Sequence, residues 1–356
     1  MKTISVNECL HMDKVIFIDV RTKKEYEEGT ITGAINIPIF DNEQRAILGH
    51  TYKNVSKTTA KEMGFEIASH KLPEIYSEIK KVSKGYSKIV IFCWRGGMRS
   101  KSIATVMDLM HLPAYQLEGG YKAYRKHILN YFDKKLPAPS PYIVLHGYTG
   151  CGKTLLLNAL EKANMPVLDL EGLANHRGSV FGGVGLSEQP PQKVFESLIY
   201  DKTKEHENTP IFVEAESTKV GKRMVPAFAM NYIKTGIHIL VNLDKDIRIK
   251  RLIDDYIGSA QYHAQNFSEI RKSLTLIKSY MSNEDYNKMQ NYLDNGNIYE
   301  FVSLLLDNYY DPMYEKWKKL YETFDYEVDS ANVDAAVNNL IKIYNSELNN
   351  FKKLTN

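Results

Sequence analysis

Short apolar runs alternate with helical patterns in the first 135 residues. The runs at 15–20 and 89–92 are almost wholly apolar, which is typical of strands buried on both faces of a parallel sheet. Residues 99–112 instead carry apolar side chains at helical spacing: Ile103, Val106, Met107 and Met110. Because strands that alternate with helices build layered domains, the pattern predicts an α/β domain with a parallel sheet.

The same alternation returns after residue 142. Strand-like runs are predicted at 142–146, 166–170, 210–215, 237–243 and 324–328, and helices from about 153 and over 331–350. Residues 261–322 lack such runs and are rich in tyrosine, asparagine and charge. We therefore predict a second parallel α/β domain that contains a helical insertion over about 261–322.

Three prolines separate the two patterns, at Pro137, Pro139 and Pro141. Alternating prolines favour a stiff, extended linker. We therefore predict a first domain over 1–135, a linker over 136–141 and a second domain over 142–356. The length of 356 residues agrees with two domains of ordinary size.

Composition excludes several classes of protein. Hydrophobic residues make up 43% and charged residues 25%, no stretch of 18 apolar residues occurs, and Asp13 interrupts any early signal-like run. Secreted, disordered and membrane-spanning classes are therefore not expected. The three cysteines have no metal-ligand spacing, which favours a reducing cytoplasm and argues against zinc. We expect no haem or flavin either, and no membrane partner.

A cysteine follows the apolar run at 89–92 and precedes the helix predicted from residue 99. The cysteine loop, residues 93–99, contains Cys93, Trp94, Arg95, Gly96, Gly97 and Arg99. A loop at a helix N-terminus directs several N–H groups into one concavity that favours anions, and the two arginines add positive charge. We therefore expect Cys93 to be ionised and nucleophilic. The alternative is a small core residue.

Short motifs around this loop resemble signatures of the rhodanese family. They lie within residues 19–38, beginning Asp-Val-Arg, and at 117–121, Leu-Glu-Gly-Gly-Tyr. The resemblance implies a rhodanese-like fold whose cysteine carries sulfur or selenium as a persulfide or perselenide. One departure is that five residues separate Cys93 from Arg99, where ordinary single-domain sulfurtransferases usually have four. The longer loop suits a tetrahedral, phosphate-like ligand and also resembles the Cys-x5-Arg phosphatases.

A phosphate loop is predicted at residues 147–154, between a strand and a helix. The segment matches the Walker A pattern G-x-x-x-x-G-K-[ST], whose backbone amides and lysine hold a di- or triphosphate. Cys151 is interpreted as a tolerated small residue in this loop, and the Thr154 hydroxyl is predicted to ligate Mg²⁺. The expected diphosphate-binding residues are Gly147, Gly150, Gly152, Lys153 and Thr154.

Two further segments of the second domain carry candidate site residues. The carboxylates within the strand-like run 211–217 would either hold a metal-bound water or cap the next helix. Residues 175–183 are dense in glycine and cations and follow the strand predicted at 166–170. Ligands of open α/β sheets lie beyond the carboxyl ends of strands, so this segment is expected to face the phosphate loop. A solvated loop is the alternative. The candidates are His176, Arg177, Ser179, Glu214 and Glu216.

Cationic and aromatic side chains are interleaved in two segments. The basic stretch at 122–135 contains Lys122, Arg125, Lys126, Lys134 and Lys135. The predicted insertion at 261–322 interleaves tyrosines with lysines. This combination suits RNA with splayed bases. A solvated basic face with core tyrosines explains the same pattern, and the sequence does not decide between the two.

A rhodanese-like domain followed by this P-loop domain resembles the tRNA 2-selenouridine synthase family. The resemblance covers nearly the whole chain, with motifs at 93–97, 175–179 and 309–314. It implies a transferase acting on tRNA that has 2-thiouridine at the wobble position. Geranyl diphosphate and selenophosphate would be co-substrates for S-geranylation and then replacement by selenium, with selenophosphate synthetase as the source of the selenium donor. We expect Cys93 to form the perselenide and residues 147–154 to hold the diphosphate.

Two rival functions remain open at this point. One is a persulfide-carrying sulfurtransferase fused to an ATP-dependent kinase-like module, which would turn over ATP. The other is a regulatory binding protein with an inactive rhodanese-like domain, which would lack a reactive thiol.

Overall fold

The structure, a computed structural model, describes residues 1–133, 141–207, 209–257, 263–318 and 323–355. The chain forms two units, one mainly from residues 1–134 and one mainly from residues 135–356. The linker predicted at 136–141 lies outside the described residues except for Pro141, and so do Lys134 and Lys135.

A five-stranded parallel sheet forms the centre of the first unit. Its strands are β1 (Lys2–Ile4), β2 (Val15–Asp19), β3 (Ile35–Asn36), β4 (Lys88–Phe92) and β5 (Ala114–Leu117). Their spatial order is β1-β5-β4-β2-β3, with every neighbouring pair parallel. In the middle of the sheet, Ile16 pairs with Ile89 and Ile18 with Ile91. All four are buried, as expected for strands covered on both faces.

Helices connect these strands. They are α1 (Val6–Leu10), α2 (Lys23–Glu27), α3 (Asn42–Asn54), α4 (Lys57–Val82), α5 (Met98–Leu109) and α6 (Gly120–Asp133). Ser5, Thr22 and Asp41 begin the first three as capping boxes, in which their side chains accept an N–H of the first turn. Apolar side chains of α3, α4 and α5 pack with those of β2 and β4 in one hydrophobic core.

A second five-stranded parallel sheet forms the centre of the other unit. The strands here are β6 (Tyr142–His146), β7 (Val167–Leu168), β8 (Ile211–Glu214), β9 (Lys219–Val220), β10 (Arg223–Met224), β11 (Ile237–Asn242) and β12 (Tyr326–Asp329). The sheet order is β12-β11-β6-β8-β7, and β9 and β10 form a separate antiparallel pair. Every residue of the central β6 is buried, so the loop that follows it begins at a fixed point.

Helices surround this sheet in sequence. They are α7 (Lys153–Lys162), α8 (Leu170–Ala174), α9 (Gln192–Glu205), α10 (Ala227–Thr235), α11 (Lys245–Ile257), α12 (His263–Ile277), α13 (Asn283–Asp294), α14 (Ile298–Leu305), α15 (Asp311–Lys318) and α16 (Val333–Thr355). A 3-10 turn at Lys278–Tyr280 and a π-helical turn at Leu306–Tyr310 join helices between β11 and β12. The described part of that segment is helical and builds a hydrophobic core of its own with α11.

The predicted α/β class with parallel sheets is confirmed. The strand predicted at 166–170 is shorter than expected, because Asp169 accepts a 2.8 Å hydrogen bond from the Gly172 N–H and starts α8. The predicted final helix is longer than expected and reaches Thr355. Within the described ranges, no helix is both long and apolar enough to cross a membrane.

Candidate active sites

Cys93 lies between β4 and α5, at the carboxyl end of a central strand. The Gly97 N–H donates a 3.2 Å hydrogen bond to its Sγ, and the Ser100 hydroxyl lies 3.2 Å from the same sulfur. Both groups belong to the N-terminal end of α5, where unpaired N–H groups favour negative charge. The Cys93 sulfur therefore lies at the N-terminal end of α5, beside one N–H donor and one hydroxyl.

Two buried polar residues hold this loop, and the sequence analysis missed both. Ser100 is fully buried, and the Gln116 side-chain amide donates to its hydroxyl at 3.1 Å. The same amide donates to the Gly96 carbonyl at 2.6 Å. The sequence did contain one sign of this contact, a glutamine inside the strand β5. Because buried polar groups are nearly always hydrogen-bonded, a glutamine in a buried strand indicates a hydrogen-bond partner nearby.

Glycines allow the cysteine loop to close against the next helix. Gly96 has a φ of +65°, and a Cβ there would lie 2.8 Å from the Leu117 carbonyl oxygen. Gly120 has a φ of +58°, and a Cβ there would collide with the Cys93 carbonyl. Both positions combine left-handed backbone with a close backbone approach, so glycine is required at each.

The two arginines of the cysteine loop differ in their surroundings. Arg95 is exposed, whereas the Arg99 guanidinium forms an ion pair with Glu25 of α2. Trp94 packs against Tyr121, with ring centroids 5.8 Å apart. Both arginines were predicted to attract an anion to this loop, but the charge of Arg99 is already paired with a carboxylate.

A buried ion pair explains the Asp-Val-Arg motif at the end of β2. Asp19 and Arg21 are 0% and 2% exposed, and the Arg21 Nη2 donates to the Asp19 carboxylate at 2.6 Å. The guanidinium also lies over the Tyr121 ring, 4.4 Å from its centroid. Through the ion pair with Asp19 and the stacking on Tyr121, Arg21 connects the end of β2 to the start of α6.

In the second unit, residues 147–154 connect β6 to α7. Gly147, Gly150 and Gly152 have φ values of +150°, +81° and +92°. A Cβ at Gly147 would lie 2.6 Å from the Val241 carbonyl oxygen, so the loop needs glycine there. The Lys153 ammonium donates to the Gly147 carbonyl at 2.9 Å and folds back over the loop, where it is ready to meet phosphate oxygens.

Two arginines of α11 fix this phosphate loop, and neither was predicted. Arg248 Nε donates to the Thr149 carbonyl at 2.9 Å, and Arg251 Nη1 donates to the Cys151 carbonyl at 3.0 Å. Roughly one hundred residues separate each donor from its acceptor, so no local pattern reveals these contacts. They hold the loop in shape through its carbonyls, and the Cys151 N–H donates to the Tyr148 carbonyl within the loop at 3.1 Å.

A cavity of about 600 Å³ opens over the phosphate loop. Lys153 and Thr154 line it together with Arg177, Ser179 and Glu216, so three of the five candidates outside the loop face it. The remaining wall has an apolar and aromatic part, formed by Leu252, Tyr256, Tyr310, Met313 and Tyr314, and a charged part that includes Arg251, Asp254 and Asp255. Ser179 lies 3.0 Å from the Tyr256 hydroxyl and ties its segment to this wall.

The other two candidates lie beside the cavity rather than on it. His176 packs against Gly182 and Gly221. Glu214 is 1% exposed, and its Oε1 accepts the Glu171 N–H at 2.8 Å. This contact satisfies an N–H in the first turn of α8, the helix that precedes β8, and is neither of the two roles left open for Glu214.

Glu171 is a site residue that the sequence analysis missed. The Thr154 hydroxyl donates to its carboxylate at 3.1 Å, and Glu171 also lines the cavity. Burial disfavours charge on Lys153, yet Cys151, Glu171 and Glu216 together raise its pKa above the ordinary value. No cluster of three or more histidine, cysteine or acidic side chains suited to a metal occurs in the described residues, so Mg²⁺ at Thr154 stays a prediction.

These features define a class of enzyme in which a cysteine loop of rhodanese type and a phosphate loop lie on two α/β units of one chain. Residues 5–127 match the family described as the rhodanese-like domain. Residues 140–340 match the family described as the tRNA 2-selenouridine synthase AAA domain. The chain belongs to the tRNA 2-selenouridine synthase family and is an enzyme of the transferase type.

Similar proteins cover most of this chain. The tRNA 2-selenouridine synthase of Hydrogenovibrio crunogenus is 29% identical over 332 residues, which is 86% of this chain and 90% of that protein. The tRNA 2-selenouridine synthase of Shewanella halifaxensis is 30% identical over 329 residues, which is 84% of this chain and 87% of that protein.

Proposed function

We propose that this protein converts 2-thiouridine at the tRNA wobble position into 2-selenouridine in two steps. Geranyl diphosphate first alkylates the sulfur, and selenium from selenophosphate then replaces the geranylthio group. Family membership supports the tRNA substrate and the selenouridine product. The two steps are assigned to the two units by the shape of each site.

The observation that carries the first step is the composition of the phosphate-loop cavity. It combines a diphosphate-type cradle with an apolar and aromatic part of the wall, formed by Leu252, Tyr256, Tyr310, Met313 and Tyr314, and its volume is about 600 Å³. A prenyl diphosphate has the matching parts, a charged head and an apolar chain. Lys153, together with Mg²⁺ held at the Thr154 hydroxyl, would stabilise the charge that develops on the departing diphosphate.

The second step is assigned to the cysteine loop. In the overall exchange the C2–S bond breaks, a C2–Se bond forms, and geranylthiol and phosphate leave with the consumption of one water. Selenophosphate is a tetrahedral anion, and the Gly97 N–H, Arg95 and the α5 N-terminus provide an anion-favouring environment beside Cys93. The selenium of selenophosphate is at the selenide level, so the perselenide expected from the sequence would need a two-electron oxidant. We propose instead that the Cys93 thiolate attacks phosphorus, which breaks the P–Se bond and releases selenide to replace the geranylthio group at C2. Water then hydrolyses the phosphocysteine to phosphate and the free thiol, and selenophosphate synthetase would supply the donor.

Calorimetric titration tests the ligand of the phosphate loop. The protein should bind geranyl diphosphate more tightly than ATP, because the apolar wall contributes only to the prenyl ligand. Robust ATP hydrolysis stimulated by tRNA would contradict this assignment and favour a kinase-like module instead.

A further inference from the structure

A second, smaller cavity lies behind the apolar part of the phosphate-loop cavity wall. Its volume is about 30 Å³, and every side chain that lines it is apolar or aromatic. Leu252, Tyr256 and Tyr310 line both cavities. These three side chains therefore form a partition, with the phosphate-loop cavity on one side and an apolar space on the other.

The apolar space lies in the hydrophobic core that α11 shares with the helices between β11 and β12. Phe301 and Leu305 of α14 line it and are 3% and 6% exposed. Protein interiors are close-packed, and an unfilled cavity lowers stability. Because its lining is apolar, this space does not attract water and can instead take an apolar group.

The loop that follows α8 holds the two tyrosine rings of the partition. The Ser179 hydroxyl lies 3.0 Å from the Tyr256 hydroxyl. The Arg177 guanidinium lies over the Tyr256 ring, 5.2 Å from its centroid. Phe181 meets the Tyr310 ring at a steep angle, with ring centroids 6.4 Å apart. This loop therefore fixes the partition, a role that is separate from any contact with phosphate.

Tyr310 reaches the partition from an irregular part of a helix. It is the last residue of the π-helical turn Leu306–Tyr310, between α14 and α15. Such turns are rare and are frequently found at functional sites. Tyr309 and Tyr310 are equally buried, at 7% exposed each, but of these two neighbours only Tyr310 lines the cavities. The turn therefore places Tyr310, and not Tyr309, at the boundary of the ligand space.

The cavity wall favours one direction for a prenyl chain whose diphosphate lies at the phosphate loop. The hydrocarbon part gains free energy where it leaves water for an apolar surface. The charged part of the wall, at Arg251, Asp254 and Asp255, offers no such gain and would lose hydration beneath the chain. The chain is therefore expected to run along the apolar part of the wall and towards the partition.

We propose that Tyr310, together with Tyr256, limits the length of the prenyl chain that the enzyme accepts, an inference that rests on the proposed prenyl transfer. The geranyl chain ends against the two rings, and a chain longer by one isoprene unit has no room in front of them. Removal of the Tyr310 ring joins the two cavities, because that ring lines both. The longer chain then enters the apolar space.

Competition between two prenyl diphosphates tests this inference. The full-length enzyme is given thiolated tRNA with equal amounts of geranyl and farnesyl diphosphate, and mass spectrometry of the wobble nucleoside gives the ratio of the two products. The wild type should form mainly the geranylated product. Tyr310→Ala should shift the ratio towards the farnesylated product by about 10–100-fold, a range typical of discrimination by the size of a hydrophobic pocket. Tyr310→Phe keeps the ring and should keep the wild-type ratio.

Tyr309→Ala is the matched control, because it removes an equally buried tyrosine of the same turn that lines neither cavity. It should keep the wild-type ratio. If Tyr310→Ala does not fold, Tyr310→Leu removes the ring with a smaller loss of packing and should shift the ratio in the same direction. The inference is wrong if the wild type does not prefer the geranyl chain, or if the Tyr310 variants without the ring change the ratio no more than Tyr309→Ala does. A wild-type enzyme that transfers neither chain would instead overturn the proposed prenyl transfer.

Discussion

The Arg99 guanidinium donates hydrogen bonds of 2.6 and 3.1 Å to the two carboxylate oxygens of Glu25. This pair joins the first turn of α5, which follows Cys93, to α2, which follows the buried Asp19–Arg21 pair. An anion at the cysteine loop therefore meets an arginine whose charge is already balanced. Backbone N–H groups and Arg95 supply the remaining attraction.

Glu25→Gln should destabilise the first unit. Burial opposes charge on Glu25, but the hydrogen bonds and charge of Arg99 prevail and lower the pKa of Glu25. The side chains of Arg99 and Glu25 are only 15% and 25% exposed, so losing the carboxylate leaves a poorly solvated guanidinium. We expect a loss of about 1–3 kcal/mol in the free energy of unfolding, measured by urea denaturation at pH 7.

The pH dependence of this effect has a definite sign. Because the pKa of Glu25 is lowered on folding, its contribution is complete above the unfolded value of about 4.3 and is lost as pH falls through the folded value. The difference between wild type and Glu25→Gln should therefore shrink below pH 4. Glu27→Gln is the control, since its 3.8 Å pair with Lys23 is exposed and should contribute little. Equal losses from the two variants would contradict the prediction.

Cys93 should be the fastest-reacting thiol of the native protein. Burial, the largest influence, raises the pKa of Cys9 to about 11, whereas Cys93 has an N–H donor and a hydroxyl beside its sulfur. At pH 7 we expect iodoacetamide to alkylate Cys93 at least about 100-fold faster than Cys9, as read by peptide mass spectrometry. Slow alkylation of Cys93 would support the inactive, regulatory alternative.

Ser100 allows a sharper test of the same loop. Ser100→Ala removes the hydroxyl 3.2 Å from Sγ, which should slow alkylation of Cys93 about tenfold because the thiolate loses a hydrogen bond. Ser102→Ala changes an exposed serine on the same helix and should have no effect. If the two variants react alike, the hydroxyl does not stabilise the thiolate.

Local sequence was sufficient for the strands and for both loops. An apolar run predicts β4 and β6 because strands covered on both faces exclude polar side chains, and the glycines of residues 147–154 stand directly after one of them. The length of β7 was not predictable in this way. Asp169 ends that strand by capping α8, but the apolar Leu168 and Leu170 on either side of it extend the strand-like run in the sequence.

The groups that complete each site come from distant parts of the chain. Gln116 reaches the Gly96 carbonyl from β5, and Arg251 reaches the Cys151 carbonyl from α11. Glu171 meets Thr154 only because β7 lies at the sheet edge beside β8. A helix or strand pattern indicates which residues are polar, but the partner depends on sheet order, which sequence pattern alone did not provide.

The exposed lysines of α6 should contribute to tRNA binding. Lys122 and Lys126 lie one turn apart on that helix and are both exposed, whereas Tyr121 and Tyr124 are buried. If the lysines contact phosphates, replacing both by alanine should reduce the slope of log affinity against log salt by about one to two units. Geranyl diphosphate affinity should not change.

A control is needed to show that the reduced salt slope is specific to the lysines of α6 and is not produced by removing any two exposed lysines. Lys81, in the last turn of α4, and Lys84, two residues after that helix, are exposed lysines. The matched double alanine variant should keep the full salt dependence. An unchanged slope for the α6 variant would assign Lys122 and Lys126 to a solvated face. Fluorescence anisotropy of labelled tRNA between 50 and 200 mM salt, about the range in which such contacts change affinity most, measures both slopes.

The two proposed reactions should be separable by single substitutions. Cys93→Ala removes the nucleophile of the first unit and leaves the phosphate loop unchanged. Given thiolated tRNA, geranyl diphosphate and selenophosphate, this variant should accumulate S-geranylated tRNA without selenouridine. Lys153→Ala removes a preorganised charge from the diphosphate site and should slow geranylation about 10²–10³-fold. The second variant should still convert pre-geranylated tRNA into the selenouridine product.

Mass spectrometry of the wobble nucleoside distinguishes the thiolated, geranylated and selenated forms in one experiment. Lys162→Ala, at the exposed end of the same helix as Lys153, is the matched control and should leave both steps intact. The result that would contradict the separation of the two reactions is a loss of geranylation in the Cys93→Ala variant. If Cys93→Ala remained folded and yet failed to geranylate, the thiol would be required at the first reaction, and both reactions would have to share one active site.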